Sequence, residues 1–396
     1  MSLAYLDFYS NTVPVSTPGS NIVFERLARI FISKGYTVRV FSYDPLRLSL
    51  SSNAVFWEHI QIPLRLRFTL PVRTWLPFSA FLRRRQLSRY LLSRYYNSSD
   101  HYSFVTMPWD QQSLLACDVS QALDRPFHLI IHDDEITFCS DFLSRLAAKL
   151  KRRLLVEKAK YIFPVSMQLL KQVPSAFHLK CFLLPPIAER YHATNLGYVT
   201  PTDGDDDFRT RPMFDLGYAG KVYPPMFDEI RKLLCCFQRN HLSLVIISDV
   251  SREQIDPNNH FHDVLSIRPL FASPEEAFHY LRTNTRVAWV CSPQHLCGRW
   301  RILNTSFPSK LVELAINGFP FIITSAPGTP LHDWGLSNVP EYTFSGDFYA
   351  ELATFLKSLT LDQHEVMANR VLSLGNQHFD PLEIGESFFL RVHDCS

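Results

Sequence analysis

Short apolar runs alternate along the chain with segments in which apolar residues recur at helical spacing. The first such unit is the run 4–9, followed by Val23, Leu27 and Phe31 at helical spacing, and then the run 36–41. A strand, a helix and a second strand in this order predict a βαβ unit with parallel strands and a right-handed crossover. The alternation continues towards the C-terminus, so the pattern predicts an α/β protein with doubly wound parallel sheets.

The remaining elements follow from the same two periodicities. Further strands are predicted at 102–107, 127–131, 161–166, 182–186, 214–221, 242–247, 264–270, 287–292 and 321–324. Further helices are predicted at 78–96, 143–160, 226–239, 274–282, 308–317, 346–358 and 361–374. The polar stretch 187–213 separates the two groups and predicts a linker or surface loop between domains 1–186 and 214–380.

Length and composition limit the class of protein. With 396 residues, 46% hydrophobic and 20% charged, the chain has the size and composition of two soluble domains. No apolar run reaches the roughly 18 residues of a transmembrane helix, and no signal peptide is recognisable. The eight cysteines are scattered without a C-x-x-C pair, which is typical of a reduced cytoplasmic protein. Cys291, His295 and Cys297 match no common zinc spacing, so no metal site is predicted.

Charge is distributed unevenly between the two halves. Residues 1–185 contain 23 Lys and Arg against 13 Asp and Glu, a net charge of +10, whereas the remaining 211 residues contain 17 and 25, a net charge of −8. The segments 78–96, with Arg83, Arg84 and Arg85, and 143–160 are both basic and amphipathic. Two interpretations stay open: basic helix faces that only contact water, or a contact with an anionic membrane surface or acceptor.

The segment 305–324 reads as a loop, a short helix, a turn and a buried strand. Ser306 is a candidate N-cap, Pro308 fits the first helical turn, and Gly318 fits a left-handed C-cap. A helix N-terminus suits a phosphate, and Lys310 would add a full positive charge there. Glu313, about one turn or ~5 Å further along the same face, could accept hydrogen bonds from a ribose. The alternative is a solvated pair of surface charges.

The stretch PSKLVELAINGFPFI, residues 308–322, resembles the nucleotide-sugar signature of GT-B glycosyltransferases, especially the family-4-like group. The resemblance implies two Rossmann-like domains facing a cleft, with the nucleotide sugar on the C-terminal domain and the acceptor on the N-terminal one. It also implies that Ser309 and Lys310 bind the donor and that Glu313 holds its ribose. The final segment, 381–396, would be a helix that crosses back to the first domain.

A second match follows the strand that begins the C-terminal domain. The strand, Gly220 and Lys221 resemble the family's phosphate-contacting turn: glycine lets backbone approach a phosphate, and lysine neutralises it. Two positions depart from the family pattern. A second basic residue is replaced by Met226, for which Lys310 is the candidate substitute, and a second glutamate is replaced by Thr305. Retention or inversion at the transferred carbon is therefore left open.

Polar residues also follow the strand 127–131, at the sheet edge where open parallel sheets bind ligands. They are His132, Asp133 and Asp134. By the resemblance, His132 is predicted as catalytic, reaching the donor sugar, although a structural histidine is the alternative. Asp133 and Asp134 are predicted to bind the acceptor. No G-x-G-x-x-G is present, Gly19 is the candidate remnant of a glycine-rich loop, and the D-x-D motif within 203–207 is interpreted as a solvated loop.

The function expected from these features is glycosyl transfer from a nucleotide sugar to a hydroxyl group of a saccharide or lipid-linked glycan, as in polysaccharide biosynthesis. No metal, other cofactor or nucleic-acid partner is predicted. The expected location is the cytoplasm, either free of membranes or peripherally bound at the inner face of one. Two alternatives stay open: a sugar-nucleotide epimerase of the same fold, and a degenerate GT-B domain pair that serves as a binding or scaffold subunit.

Overall fold

The computed structural model describes residues 3–10, 20–42, 57–62, 77–108, 112–139, 141–191, 214–295, 303 and 305–393. The chain divides into two compact units, which are described separately. Unit 1 comprises Met1–Pro185 together with Leu382–Ser396, and unit 2 comprises Pro186–Pro381.

Unit 1 is built on a parallel sheet with the strand order β3-β2-β1-β4-β5-β6 in its described part. Its strands are β1 (Ala4–Tyr9), β2 (Thr37–Ser42), β3 (Trp57–Gln61), β4 (His101–Thr106), β5 (Phe127–Ile131) and β6 (Tyr161–Pro164). Its helices up to residue 185 are α1 (Ser20–Ser33), α2 (Pro77–Tyr95), α3 (Ser113–Ala122), α4 (Glu135–Phe138), α5 (Phe142–Lys158) and α6 (Met167–Lys171), with a 3₁₀ helix at Ser175–Lys180. The order reverses between β1 and β4, as in doubly wound sheets.

Unit 2 repeats the arrangement with the order β12-β11-β10-β7-β8-β9. Its strands are β7 (Phe214–Ala219), β8 (Leu244–Ile247), β9 (Leu265–Arg268), β10 (Thr285–Cys291), β11 (Phe321–Thr324) and β12 (Thr343–Phe344). Its helices are α7 (Met226–Asn240), α8 (Arg252–Ile255), α9 (Pro274–Asn284), α10 (Ser309–Ile316), α11 (Pro330–Asn338), α12 (Tyr349–Ser358) and α13 (Leu361–Phe379), with a 3₁₀ helix at Pro340–Tyr342. The strand pairs of both sheets are parallel, so the predicted α/β class is confirmed.

A last helix, α14 (Pro381–His393), packs in unit 1 at the opposite end of the chain from β1. The ring of Phe388 lies 4.7 Å from that of Phe163 and 5.9 Å from that of Phe31. Lys34 and Glu386 form an ion pair at 2.5 Å. The core of unit 1 is therefore completed by residues that follow unit 2 in the sequence.

The core of unit 1 also contains a charged pair. Arg39 donates two hydrogen bonds of 2.7 Å to the carboxylate of Asp7, and both side chains are buried. The hydroxyl of Tyr96 donates a further bond of 2.7 Å to Asp7, and the guanidinium of Arg39 lies 4.2 Å from the ring centroid of Tyr5. These contacts compensate for removing the two charges from water.

The strand predicted at 182–186 is wrong. The described backbone forms only a single bridge between Cys181 and Ile162, although the N–H groups of Phe182 and Leu184 donate to β6 at 2.9 and 3.0 Å. The two prolines that follow have no N–H to continue the ladder, so pairing stops there. Helices α3 and α11 were not predicted: α11 begins at the end of the presumed turn 325–330, where Thr329 accepts a hydrogen bond from the N–H of His332.

Candidate functional site

Helix α10 begins at Ser309 without a side-chain cap in the described structure. Pro308 occupies the N-cap position with extended backbone angles, so Ser306, the predicted cap, lies two residues too early. An uncapped helix start leaves N–H groups and the positive end of the helix dipole available to a ligand. At the other end, Gly318 has a φ of +63°, which confirms the predicted left-handed turn.

Lys310 is half-buried at this helix start and points at the end of β7. Its Nζ lies 3.4 Å from the ring centroid of Tyr218, a cation–π contact. A Cβ atom placed on Gly220 would lie only 3.0 Å from the same Nζ. Burial lowers the pKa of Lys310 to about 8, and nearby Cys291 and Glu313 oppose that effect. Among the described residues, no carboxylate lies within ion-pair distance of this ammonium group.

The turn after β7 is held in place by the same tyrosine. The hydroxyl of Tyr218 donates a 2.6 Å hydrogen bond to the carbonyl oxygen of Lys221. Gly220 has a φ of +133°, a backbone angle that residues with a Cβ atom rarely adopt. Its N–H donates to the carbonyl of Ile247 at 2.9 Å. The side chain of Lys221 is exposed. Gly220 and Lys310, predicted separately from two motifs 90 residues apart, are thus brought together.

Glu313 lies on the adjoining part of α10 and contacts Tyr191, which belongs to the predicted linker but is part of unit 2. The hydroxyl of Tyr191 donates to Oε1 of Glu313 at 3.4 Å. The side chain of Asn317 anchors the same segment, since it accepts from the N–H of Tyr191 at 2.7 Å and donates to the carbonyl of Glu189 at 3.0 Å. The segment that precedes β7 is therefore fixed to α10 through Asn317, and it places the hydroxyl of Tyr191 beside the carboxylate of Glu313.

A further acidic residue, Glu229 of α7, holds the loop after β10. Its Oε1 accepts a 2.5 Å hydrogen bond from the N–H of Gln294, whose side-chain oxygen accepts in turn from the N–H of Gly346 at 3.1 Å. Burial raises the pKa of Glu229 to about 7, although the N–H groups of Gln294 and His295 favour its charged form. The buried hydroxyl of Ser292 has no hydrogen-bond partner within the described part of the chain. This loop follows Cys291, which lies close enough to Lys310 to interact with it electrostatically.

The polar residues after β5 fall into two environments. Nδ1 of His132 lies 3.1 Å from a carboxylate oxygen of Asp133, and this neighbour raises the pKa of His132 against the opposing effect of burial. Asp134 is buried and accepts hydrogen bonds from Arg152 at 2.9 Å, from Gln172 at 3.2 Å and from Thr137. His132 and Asp133 stay accessible, whereas the contacts of Asp134 join α4 to α5 and α6.

Two basic residues of the predicted anionic contact have structural partners. Arg84 forms an ion pair of 2.6 Å with Asp118 of α3, and Arg152 is buried between Asp134 and Glu135. Arg85 remains exposed. The side chain of Arg83 lies outside the described residues, as do Gly19, the D-x-D segment 203–207 and Cys297.

Sequence reasoning missed three residues of this region: Tyr218, Tyr191 and Glu229. Tyr218 had a recognisable signal, because it is an aromatic residue two positions before the glycine of the phosphate turn. Tyr191 lies in a stretch interpreted as linker, and nothing in the sequence of α7 relates Glu229 to a loop 65 residues away. The described residues contain no group of His, Cys, Asp and Glu side chains that could hold a metal ion. None of their helices combines the length and hydropathy of a membrane span.

No protein-family model and no curated protein sequence matches the chain. Solved structures do. Sucrose-phosphate synthase from Thermosynechococcus elongatus superposes with a TM-score of 0.65 at 14% identity, over 99% of this chain and 100% of that one. A glycosyltransferase from Rickettsia africae gives 0.66 at 9% identity over 100% of both chains. The Anabaena protein HepE, in complex with UDP and glucose, gives 0.61 at 12% identity over 98% of both. At such identities the likeness concerns the fold, and the predicted GT-B fold is confirmed.

Proposed function

We propose that this GT-B protein is a glycosyltransferase that moves a sugar from a nucleotide-sugar donor to a hydroxyl group. The observation that carries the proposal is the environment of Lys310. Its ammonium group lies at the uncapped start of α10, beside Gly220, with no carboxylate in ion-pair distance among the described residues. A diphosphate would supply the missing negative charge at a place where backbone N–H groups also point outward.

Each part of the donor is assigned to described residues of unit 2. The diphosphate takes the N–H groups at Ser309 and Lys310, the ammonium groups of Lys310 and Lys221, and the backbone at Gly220. The ribose takes Glu313, whose carboxylate lies 3.4 Å from the hydroxyl of Tyr191. The complex of HepE with UDP and glucose makes a UDP-sugar the first donor to test.

The main task of the enzyme in this reaction is to stabilise the leaving group, and no covalent intermediate with the protein is required. The acceptor oxygen bonds to the anomeric carbon while the bond from that carbon to the diphosphate oxygen breaks. The electron pair leaves with the nucleoside diphosphate, and Lys310 and Lys221 stabilise the developing charge, so no metal ion is invoked. Stereochemistry is not assigned, because Thr305 stands where a second glutamate would be expected.

His132 and Asp133 of unit 1 are assigned to the acceptor and to the proton that its hydroxyl loses. The raised pKa of His132 fits a group that exchanges a proton near neutral pH. Asp134 is also proposed to act in acceptor binding. Its hydrogen bonds to Arg152, Gln172 and Thr137 indicate that it does so by positioning the loop. The acceptor is a saccharide or a lipid-linked glycan, handled at the cytoplasmic face of an anionic membrane.

The first experiment is a thermal-shift screen of the full chain against UDP-, GDP-, ADP- and CMP-sugars, followed by an assay for released nucleoside diphosphate. Release that depends on an acceptor supports transfer. Conversion of the sugar without release would instead identify an epimerase. Donor binding without either reaction would identify a binding or scaffold subunit.

The site itself is tested by Lys310→Ala and Lys221→Ala. Each change removes a charged hydrogen bond, for which about 1.5–3 kcal/mol is expected, so kcat/KM should fall by roughly 10- to 150-fold. The exposed Lys232→Ala of α7 is the matched control and should behave as wild type. Unchanged kinetics in both site variants, with folding intact, would exclude this donor site.

A further inference from the structure

Helix α5 of unit 1 has an unusual first half. From residue 142 to 151 no side chain is buried, and the buried residues of the helix are Arg152, Leu155 and Val156. The second half is anchored by Arg152, which donates to Asp134 at 2.9 Å and to the side-chain oxygen of Gln172 at 2.7 Å. Asp141 caps the start, accepting from the N–H of Ser144 at 2.8 Å. Arg145 in the first half donates to the carbonyl of Cys139 at 2.9 Å, but the large apolar side chains of this half are exposed.

The exposed side chains of this half are large and apolar. Phe142 is 77% exposed and Leu150 is 60% exposed. These and the other exposed apolar residues of the helix are spaced so that they share one face, the α5 stripe. The α5 stripe consists of Phe142, Leu143, Leu146, Leu150 and Leu154. A contiguous patch of this kind indicates an interaction surface, unlike a single exposed leucine.

The charges around the stripe favour an anionic membrane as its partner. Every charged side chain between Phe142 and Val156 is basic, and the whole helix contains six basic residues and one acidic residue. Lysine is depleted in the centres of protein interfaces, whereas anionic membrane surfaces attract lysine and arginine. Phenylalanine and leucine on one face with basic residues beside them are the features of a helix that lies in the membrane interface.

We propose that the α5 stripe inserts into the interfacial layer of an anionic phospholipid membrane, with Lys149 contacting the headgroups. Arg153, which is exposed and pairs with Glu157 at 2.9 Å, adds positive charge beside it. The insertion itself does not depend on the proposed function. The idea that the membrane presents a lipid-linked acceptor does rest on it. The chain order fits that use, because the stripe begins just after the loop with His132 and Asp133, and α4 packs against α5. If the stripe inserts, part of the membrane affinity comes from its apolar side chains and not only from electrostatic attraction.

Flotation of the full chain with vesicles tests the inference. Vesicles of phosphatidylcholine alone are compared with vesicles of about one part phosphatidylglycerol to two parts phosphatidylcholine. Binding to the anionic vesicles is expected, weakened but not abolished by salt, because screening over a Debye length of ~8 Å acts on the charges and not on the apolar contacts. Slower amide exchange of residues 142–151 on these vesicles would locate the contact.

Variants separate the two contributions. Leu146→Ser with Leu150→Ser should weaken vesicle binding by on the order of tenfold, because both side chains would lose their apolar burial. Leu179→Ser is the control, since Leu179 is 97% exposed in the same unit but outside the stripe. Lys149→Gln should weaken binding by about fivefold per charge removed, whereas the exposed Lys171→Gln of α6 should not.

Three results would overturn the proposal. The first is absent binding, or equal binding to the two vesicle types. The second is wild-type binding by the double serine variant. The third is a dimeric wild type that becomes monomeric in that variant without any vesicle binding, which would make the α5 stripe a protein interface. Donor thermal shifts are measured in parallel, so failure of the glycosyltransferase proposal is seen independently of the vesicle result.

Discussion

At the scale of single residues, Lys310 carries a positive charge in a partly buried position, where the charged form of a side chain is disfavoured. Burial lowers its pKa to about 8, so the ammonium group is mostly charged at neutral pH but loses its proton as the pH rises through about 8. A bound diphosphate would raise that pKa again, because opposite charges favour the protonated form. Donor binding is therefore coupled to proton uptake above this pH.

The first prediction at this scale is a pH dependence of donor affinity. Above pH of about 8 the protonated fraction of Lys310 falls about tenfold per pH unit, and the donor KM should rise accordingly. Lys310→Arg keeps its charge throughout, because the pKa of arginine is above about 12, and should flatten the profile between pH of about 8 and 9.5. Steady-state kinetics of both proteins test this. A wild-type KM that stays constant over that range would contradict the assignment.

The second prediction concerns Glu313. Glu313→Gln keeps the size of the side chain but removes its charge, so it should raise the donor KM and reduce the discrimination against 2′-deoxy donors. A loss of about 1.5–3 kcal/mol is expected where a charged hydrogen bond is removed. Glu341→Gln is a control on the surface of the same unit, where Glu341 pairs with Arg370. Equal discrimination by wild type and Glu313→Gln would exclude the ribose contact.

At the scale of elements, β7 and α10 meet through Tyr218. The ring of Tyr218 lies under the ammonium group of Lys310, while its hydroxyl holds the carbonyl of Lys221. One side chain thus positions both lysines of the proposed donor site. Its ring is in turn packed 5.8 Å from that of Trp289 in β10, which ties the arrangement to the core of unit 2.

Two substitutions at Tyr218 should therefore have graded effects. Tyr218→Phe removes only the hydrogen bond to Lys221, and about 0.5–1.5 kcal/mol, or roughly two- to tenfold in donor KM, is expected. Tyr218→Leu also removes the cation–π contact and should cost a further several-fold, from about 0.5–2 kcal/mol. Donor KM and kcat are measured beside the melting temperature, which reports damage to the core. Wild-type KM in both variants would show that Tyr218 is only a core residue.

At the scale of the whole molecule, unit 1 is assembled from two ends of the chain. Its core includes α14, whose Phe388 packs against Phe163 and Phe31. Unit 1 therefore depends on residues that are translated after unit 2, whereas unit 2 is continuous in sequence. A change in α14 should act on unit 1 first.

Phe388→Ala should lower the free energy of unfolding of unit 1 by about 3–5 kcal/mol, the cost of deleting a buried aromatic side chain. Leu390→Ala on the same helix is the matched control, because Leu390 is half exposed and should cost much less. Chemical denaturation followed by protease digestion would report which unit opens. Protection of 214–379 with early cleavage inside 1–185 is expected. Simultaneous loss of both units would contradict the separate stability of unit 2.

Much of this molecule follows from local pattern. The strands β1, β5 and β11 have the predicted bounds, because short apolar runs between turn residues have few other solutions in an α/β chain. Gly318 adopts the predicted left-handed conformation, since a glycine directly after a helix end favours it and Pro320 prevents the helix from continuing. Lys310, Glu313, Gly220 and Lys221 could each be proposed from short motifs. The predictions from local pattern were wrong where hydrogen-bond partners determine the structure. These places are the segment 182–186, which is not a strand, and the start of α10, where Ser306 is not the N-cap.

Only the tertiary structure decided which of these residues belong together. Parallel strands place Gly220 after β7 and Lys310 after β10 at one sheet edge. The ammonium group of a residue 90 positions away therefore lies only 3.0 Å from where a Cβ atom on Gly220 would be. The tertiary structure also gives different environments to basic residues that look alike in the sequence. Arg152 is buried with Asp134, whereas Lys149, three residues earlier on α5, is exposed. The physical reason is that sequence periodicity specifies which face of an element is apolar, but long-range packing decides which neighbour covers that face and which polar groups are left for a ligand.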